Sequence, residues 1–166
     1  MGNVDVRSYI SGYVDGEGCF SVSISPRPSL LVGWEVRPSL SVSQNADRSQ
    51  VLLTIQEYFG CGNIRPDRSD RTLKWEVRKL SLLLERVIPH FNAYPLISDK
   101  QSDFIAFAEI CQRMKRGDHL KSESLVKIVD IVKGMNPSGK RGYLPDMIID
   151  ELMRDEGIVY SFGNKG

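Results

Sequence analysis

The sequence predicts an α+β domain, one antiparallel sheet with helices packed on its apolar face. Three observations predict it. Two long stretches near the N-terminus alternate apolar and polar residues with period two, and a second, shorter alternating pair follows. A segment of helical spacing separates the two pairs, and helical spacing dominates everything after the second. No Pro-, Gly- or Ser-rich linker divides the 166 residues, a length that suits one domain with its own core.

The elements follow in order. A first helix is expected over about Ser8 to Asp15. From Cys19 to Ser25, Phe20, Val22 and Ile24 alternate with Ser21, Ser23 and Ser25. From Trp34 to Ser43, Trp34, Val36, Leu40 and Val42 face opposite to Glu35, Arg37, Ser39, Ser41 and Ser43. Pro26, Pro28 and Gly33 punctuate the connection, and Pro38 marks a bulge or an edge. Helical spacing then runs from Asp47 to Phe59, with Val51, Leu52, Ile55, Tyr58 and Phe59 as the buried stripe and Gly60 as C-cap. Ile64 and the Leu73-Trp75-Val77 series form the second strand pair, joined by a charged turn from Pro66 to Arg71. Residues 81–90 read as a short helix ended by Pro89. Ser98 with Gln101 makes a capping box for a helix through Phe104, Ala108, Cys111 and Met114. Another helix covers about Glu123 to Lys133, with Leu125, Ile128, Val129 and Val132 inward and Gly134 at its end. A flexible basic loop, Asn136 to Gly142, leads to a last helix near Pro145 to Arg154.

Composition, 41% hydrophobic and 26% charged, is that of an ordinary globular protein, and no apolar run approaches the roughly 20 residues that span a bilayer. The N-terminus lacks the basic and apolar regions of a targeting peptide, so an intracellular compartment and no membrane association are expected. Cys19, Cys61 and Cys111 are far apart and odd in number, which points to three reduced, mostly buried thiols. His90 and His119 form no cluster and read as structural or exposed. The net charge of +1 hides segregation: residues 113–141 hold eight Lys and Arg against three acids, and residues 62–80 hold six against three. A basic face for a polyanion is compatible with that pattern.

Residues 9–18, Tyr9-Ile10-Ser11-Gly12-Tyr13-Val14-Asp15-Gly16-Glu17-Gly18, carry the chemistry. Ser8, Gly12 and Gly16 recur every four residues and form a smooth helical stripe on which another backbone can pack closely. Asp15 and Glu17 place two carboxylates at the C-terminal end of that helix, where the macrodipole disfavours them. A divalent cation reverses that penalty, since Mg2+ is bound by carboxylate and carbonyl oxygens.

The polar face of the sheet carries serines together with Asn63, Arg37, Arg65, Lys74, Glu76 and Arg78. Serine is a poor strand former, so propensity does not explain this face. Hydroxyls and arginines suit base edges and phosphates, and antiparallel ribbons fit the DNA major groove.

Residues 9–18 resemble the signature helix of the LAGLIDADG homing endonucleases. The elements after it match that family's αββαββα core with its antiparallel saddle sheet, here about residues 8–116, followed by extra C-terminal helices at about 122–154. The resemblance implies a site-specific double-stranded DNA endonuclease of the intron-homing type. It implies Mg2+, with Mn2+ or Ca2+ able to take the same place. Glu17 is then the main metal ligand and the Gly16 carbonyl a second, with Asp15 capping backbone or bridging to metal through water. Gln44 stands where a polar residue orders water, Arg48 where a basic residue approaches the scissile phosphate, and Lys100 in the segment whose lysine polarises the nucleophilic water. The chain departs from the family at Ser98 and Asp99, where basic residues frequently stand.

Only one signature is present, so the resemblance implies a homodimer whose two-fold axis runs through Ser8, Gly12, Tyr13 and Gly16 of each copy, reading a near-palindromic site. The DNA-reading set is then Ser21, Ser23, Ser25, Arg27, Glu35, Arg37, Ser39 and Ser41 from the first strand pair. Asn63, Arg65, Arg68, Arg71, Lys74, Glu76 and Arg78 complete it from the second. The alternative is a binder without nuclease activity on the same scaffold, an RNA-splicing maturase or a DNA-binding regulator; RNA enters only there. A nucleotide-binding enzyme is a weak third reading, because Gly12, Gly16 and Gly18 precede a strand instead of joining strand to helix.

Overall fold

The structure, a computed structural model, describes residues 2–67, 71–136 and 143–155. Helix α1 spans Val6–Glu17 and passes directly into β1, Gly18–Pro26. It starts earlier than the apolar spacing suggests because Asp5 caps it, its carboxylate accepting from Arg7 N–H at 3.2 Å. It stops at Gly18, whose N–H donates to the Val14 carbonyl. A Cβ on Gly18 would lie 2.6 Å from Val14 Cγ1 and 2.8 Å from the Val14 carbonyl oxygen, so the turn from helix into strand needs glycine there.

Strand β2 covers Trp34–Asn45, followed by a short 3-10 turn, Ala46–Arg48, and α2, Gln50–Phe59. Strands β3, Asn63–Pro66, and β4, Thr72–Val77, complete an antiparallel sheet of order β1-β2-β4-β3. The register runs without a bulge from Gly18 opposite Val42 to Pro26 opposite Trp34. Pro38 lies just before the β4 pairing begins at Leu40, on a stretch of β2 with a partner on one side only. Of the two readings of Pro38, the edge holds.

One face of the sheet forms the core. Phe20, Trp34, Val36, Leu40, Val42, Trp75 and Val77 are buried on it, while Val22 and Ile24, toward the outer end of β1, are half-covered. The Phe20 ring meets Phe91 and Phe107 at 5.3 Å and Phe104 at 5.4 Å. In α2 the buried stripe narrows to Leu52, Ile55 and Phe59; Val51 and Tyr58 sit at its margins. Gly60 adopts the left-handed conformation that the C-cap requires, with φ 60°. Arg86 Nη1 donates to the Phe59 and Gly60 carbonyls, each at 2.9 Å, and completes that helix end.

The segment after β4 departs from expectation. α3, Leu80–Leu82, a π-helical turn, Leu83–Val87, and α4, Ile88–Ala93, form one continuous helical run that Pro89 does not end. Ile88 N–H reaches back to the Leu83 carbonyl, a five-residue step that widens the helix just before the proline. Pro89 thereby occupies the first turn of the next segment, where its missing N–H is tolerated.

Helix α5 covers Lys100–Lys115 and buries Phe104, Phe107, Ile110, Cys111 and Met114, with Ala108 at the margin. The expected capping box is rewired. Gln101 Oε1 accepts from Leu96 N–H at 3.0 Å, and Ser98 N–H turns to Asp15 instead. Helices α6, Ser122–Lys133, and α7, Pro145–Asp155, close the described chain, burying Leu125, Ile128, Val129 and Val132, then Ile148 and Leu152. Asn136 fastens the exit of α6: its N–H donates to Asp103 Oδ1 at 3.1 Å and its amide to the Phe20 carbonyl at 2.7 Å. Apart from Asn136, the expected basic loop lies outside the described residues, as does Arg68. No described helix is long and apolar enough to cross a membrane.

Candidate functional site

Helix α1 has two unlike faces. Its inner face buries Ile10, Ser11 and Val14. The Ser11 hydroxyl donates to the Tyr94 carbonyl at 2.7 Å, so its oxygen accepts from His90 Nε2–H at 3.1 Å. His90 Nδ1 then accepts from the Tyr58 hydroxyl at 2.9 Å. Burial pushes the His90 imidazole down to about 4, so near neutral pH it is an uncharged strut between α1, α2 and α4. That agrees with a structural histidine.

The outer face is bare. Gly12 and Gly16 are exposed, and a Cβ placed on either would meet nothing within 4 Å. Close packing within this chain therefore does not require either glycine. Ser8 continues the stripe, its hydroxyl donating to Asp5 at 2.8 Å. Ser8, Gly12 and Asp15 form one wall of an open groove of about 280 Å³ whose other wall is the segment Ala93 to Ile97. Tyr13 lies half-buried beside the stripe and accepts from Gln44 Nε2 at 2.6 Å.

The two carboxylates at the end of α1 separate in role. Asp15 accepts from Ile97 N–H and Ser98 N–H, each at 3.0 Å, and from the Ser98 hydroxyl. Burial alone raises its carboxyl, but the Ser98 and Ile97 hydrogen bonds and the Lys100 charge outweigh it and hold Asp15 below the ordinary carboxylate range. Asp15 thus caps backbone, one of the two roles expected of it. Glu17 is exposed and, among the described residues, has no hydrogen-bond or ion-pair partner. The Gly16 carbonyl beside it is one of the last four of the helix, which have no partner within it. Among the described residues no three His, Cys, Asp or Glu come together to hold a metal. One copy therefore offers one free carboxylate and one carbonyl, a donor set that fits a hard divalent cation only as part of a larger site.

Lys100 is drawn to the same corner. Its Nζ donates to the Val14 carbonyl at 3.0 Å, the oxygen that also receives Gly18 N–H. Gln44 approaches through Tyr13, and its Oε1 accepts Asn45 N–H at 2.8 Å, so both ends of its amide are engaged. Arg48 is exposed in the turn after β2, and among the described residues no hydrogen bond or ion pair ties it to this corner. The role of Ser98 was hidden behind its capping-box pattern; the departure from basic residues at Ser98 was the signal that could have revealed it.

The polar face of the sheet lies opposite the core. Rows of neighbours cross it: Cys19, Ser41, Glu76 and Asn63 in one, Ser43, Lys74 and Arg65 in another, then Ser21 with Ser39, Ser23 with Arg37, and Ser25 with Glu35. Cys19 is consequently exposed, unlike Cys111, whose thiol burial pushes up to about 12. Ser39 is nearly covered, its hydroxyl 2.8 Å from that of Ser21. The cations on this face are paired: Arg27 and Arg37 with Glu35 at 2.5 and 2.6 Å, Arg65 and Arg78 with Glu76 at 2.9 and 3.0 Å, and Lys74 with Asp67 at 3.3 Å. Arg71 is exposed at the start of β4, its carbonyl accepting Ala46 N–H at 3.1 Å.

Known proteins resemble this chain in sequence and in overall fold. Homing endonuclease I-ApeII of Aeropyrum pernix is 33% identical over 160 residues, covering 92% of this chain and 93% of that protein. The crystal structure of the homing endonuclease I-TnaI superposes with TM-score 0.76 at 34% identity, over 96% of this chain and 100% of that one. The archaeal intron-encoded homing endonuclease I-Vdi141I, complexed with DNA, superposes with TM-score 0.83 at 26% identity, over 90% of this chain and 96% of that one. By contrast, this chain spans only 24–29% of the length of matching proteins from Neurospora crassa and Podospora anserina. Residues 10–111 match the sequence profile described as LAGLIDADG endonuclease. The chain is a member of the LAGLIDADG endonuclease family.

Proposed function

We propose that this protein is a site-specific endonuclease that hydrolyses double-stranded DNA as a homodimer at a long, near-palindromic target, with divalent metal. The observation that carries the reading is the outer face of α1: two glycines whose Cβ positions point into open space, ending in an unpartnered Glu17. Bare glycines on an exposed helix reduce its stability, so their use lies in a second backbone at the stripe. Two such helices, related by a two-fold axis, bring their Glu17 carboxylates toward each other.

Glu17 and the Gly16 carbonyl would hold a divalent cation, and Mg2+ bound there supplies Lewis acidity for phosphodiester hydrolysis. The chain's own residues do the rest. Lys100, tethered to the Val14 carbonyl, keeps a positive charge at the corner where an attacking water gives up its proton. Asp15 holds the chain entering α5 and so fixes where Lys100 stands. The paired arginines and serines of the sheet lie on the face that meets the duplex.

The test is a cleavage selection on a randomised duplex library with and without Mg2+, followed by Glu17→Gln. The wild-type protein should cut a defined long site only with metal. Glu17→Gln should bind that site with unchanged affinity and cut it at least about a thousandfold more slowly. Normal cutting by Glu17→Gln would refute the metal assignment, and binding without any cutting by the wild type would favour the non-cleaving reading.

A further inference from the structure

The polar face of the sheet carries two clusters of the same construction. In each, one glutamate holds two arginines: Arg27 and Arg37 on the two oxygens of Glu35, Arg65 and Arg78 on Oε2 of Glu76. The exposures run in a consistent order. The carboxylates are 22% and 11% exposed, whereas the four guanidinium side chains are 49–59% exposed. The acids lie against the sheet, and the arginines lean out over them. Each arginine meets its glutamate through a single nitrogen, and Arg27 also turns its Nε–H to the Ser29 hydroxyl at 3.4 Å, which leaves most of each five-donor fork open.

Scattered surface ion pairs contribute little to stability, which makes a repeated two-to-one arrangement on this face unexplained by folding. Each cluster keeps a surplus positive charge, so it still attracts a polyanion. A carboxylate beneath an arginine fixes the fork's direction before binding, and so lowers the entropy lost when that fork meets a guanine edge. It also repels a phosphate that slides into the place of a base. The glutamates therefore subtract from non-specific affinity and sharpen base reading.

We propose that Glu35 and Glu76 are specificity-determining positioning residues, each aiming a pair of arginines at purine edges in the major groove. The inference rests on the DNA-cutting reading above and adds to it where the bases are read. Glu76 lies in the row with Ser41 and Cys19, two residues beyond Glu17. Glu35 is six residues farther out along β2, roughly 20 Å at about 3.3 Å per residue. At about 3.4 Å per base pair, the two clusters read windows about six base pairs apart, the Glu76 window being nearer the cut.

The experiment uses the full chain and two probes: the duplex library after selection, and a random-sequence 40-mer duplex at several salt concentrations. Glu76→Gln should flatten base preference in an inner window of two or three adjacent pairs, and Glu35→Gln in a separate outer window. Each should bind the random duplex several-fold more tightly, with a salt slope steeper by about one. Unchanged thermal midpoints show that both variants remain folded. If non-specific affinity rises while both windows stay as selective as in the wild type, the glutamates only tune charge and the proposal fails. If the two variants flatten the same window, the spacing fails with it. A wild-type protein that selects no sequence at all overturns the endonuclease reading itself, a result distinct from either.

Discussion

The inner and outer faces of α1 are built by opposite rules on the same twelve residues. Inside, every polar atom is accounted for: Ser11 serves both Tyr94 and His90, and His90 passes its other nitrogen to Tyr58. Outside, two glycines face open space and a carboxylate stands alone. A surface that satisfies itself is explained by the fold of one chain. One that leaves small residues and charge unmatched is explained by what arrives from outside. On this helix the boundary between stability and function runs along its axis.

Substitutions on either side sharpen that contrast. Ile10→Ala, on the buried side, should destabilise the protein by about 2–5 kcal/mol through cavity formation, read by urea denaturation. If it cost no more than an exposed substitution, the inner face would not be core. Acid should act on the same side. His90 is neutral when folded, with its value lowered to about 4, whereas an unfolded histidine titrates near 6.5. Stability is then fully present above about pH 6.5 and declines as pH falls toward 4, by up to about 3 kcal/mol. A flat stability profile across that window would contradict the strut.

Gly12→Ala probes the outer side and has an unusual expected sign. In dilute, monomeric protein it should raise stability by about 0.5–1 kcal/mol, since glycine is a poor helix former and nothing obstructs the new methyl. Sedimentation equilibrium should at the same time show weaker self-association. A variant that loses monomer stability, or associates as before, would break the assignment of the stripe. An effect of intermediate size is expected at the corner. Asp15→Asn should cost about 1–2 kcal/mol, because its hydrogen bonds to the 97–98 backbone lose their charge. Cutting should fall further than stability does, as Lys100 loses its fixed place.

The strands, the helices and the decamer were legible because their signals are local. Period-two alternation placed β1, β2 and β4, and Gly60 announced its own left-handed cap. What stayed hidden depended on partners distant in the chain. Ser98 followed by Gln101 satisfied the capping-box pattern, yet Asp15 takes the Ser98 N–H and Gln101 turns to Leu96. Pro89 looked like a stop because nothing local reveals the π-turn that accommodates it. The chemistry of the open sheet face was readable from residue types. Which acid would hold which arginine was not, since Arg65 and Glu76 meet only through the register of β3 on β4.

The link between Asp15 and Ser98 joins residues 83 positions apart, and Lys100 meets Val14 across a similar span. Closing so long a loop comes late in folding, after local helices and hairpins have formed. The corner that would cut DNA therefore forms later than the local helices and hairpins. A chain still being synthesised, or one that has partly come apart, carries the signature residues but not the assembled corner. For the endonuclease proposed above, that order of events is a safety interlock: cutting ability is withheld until the core has closed around it.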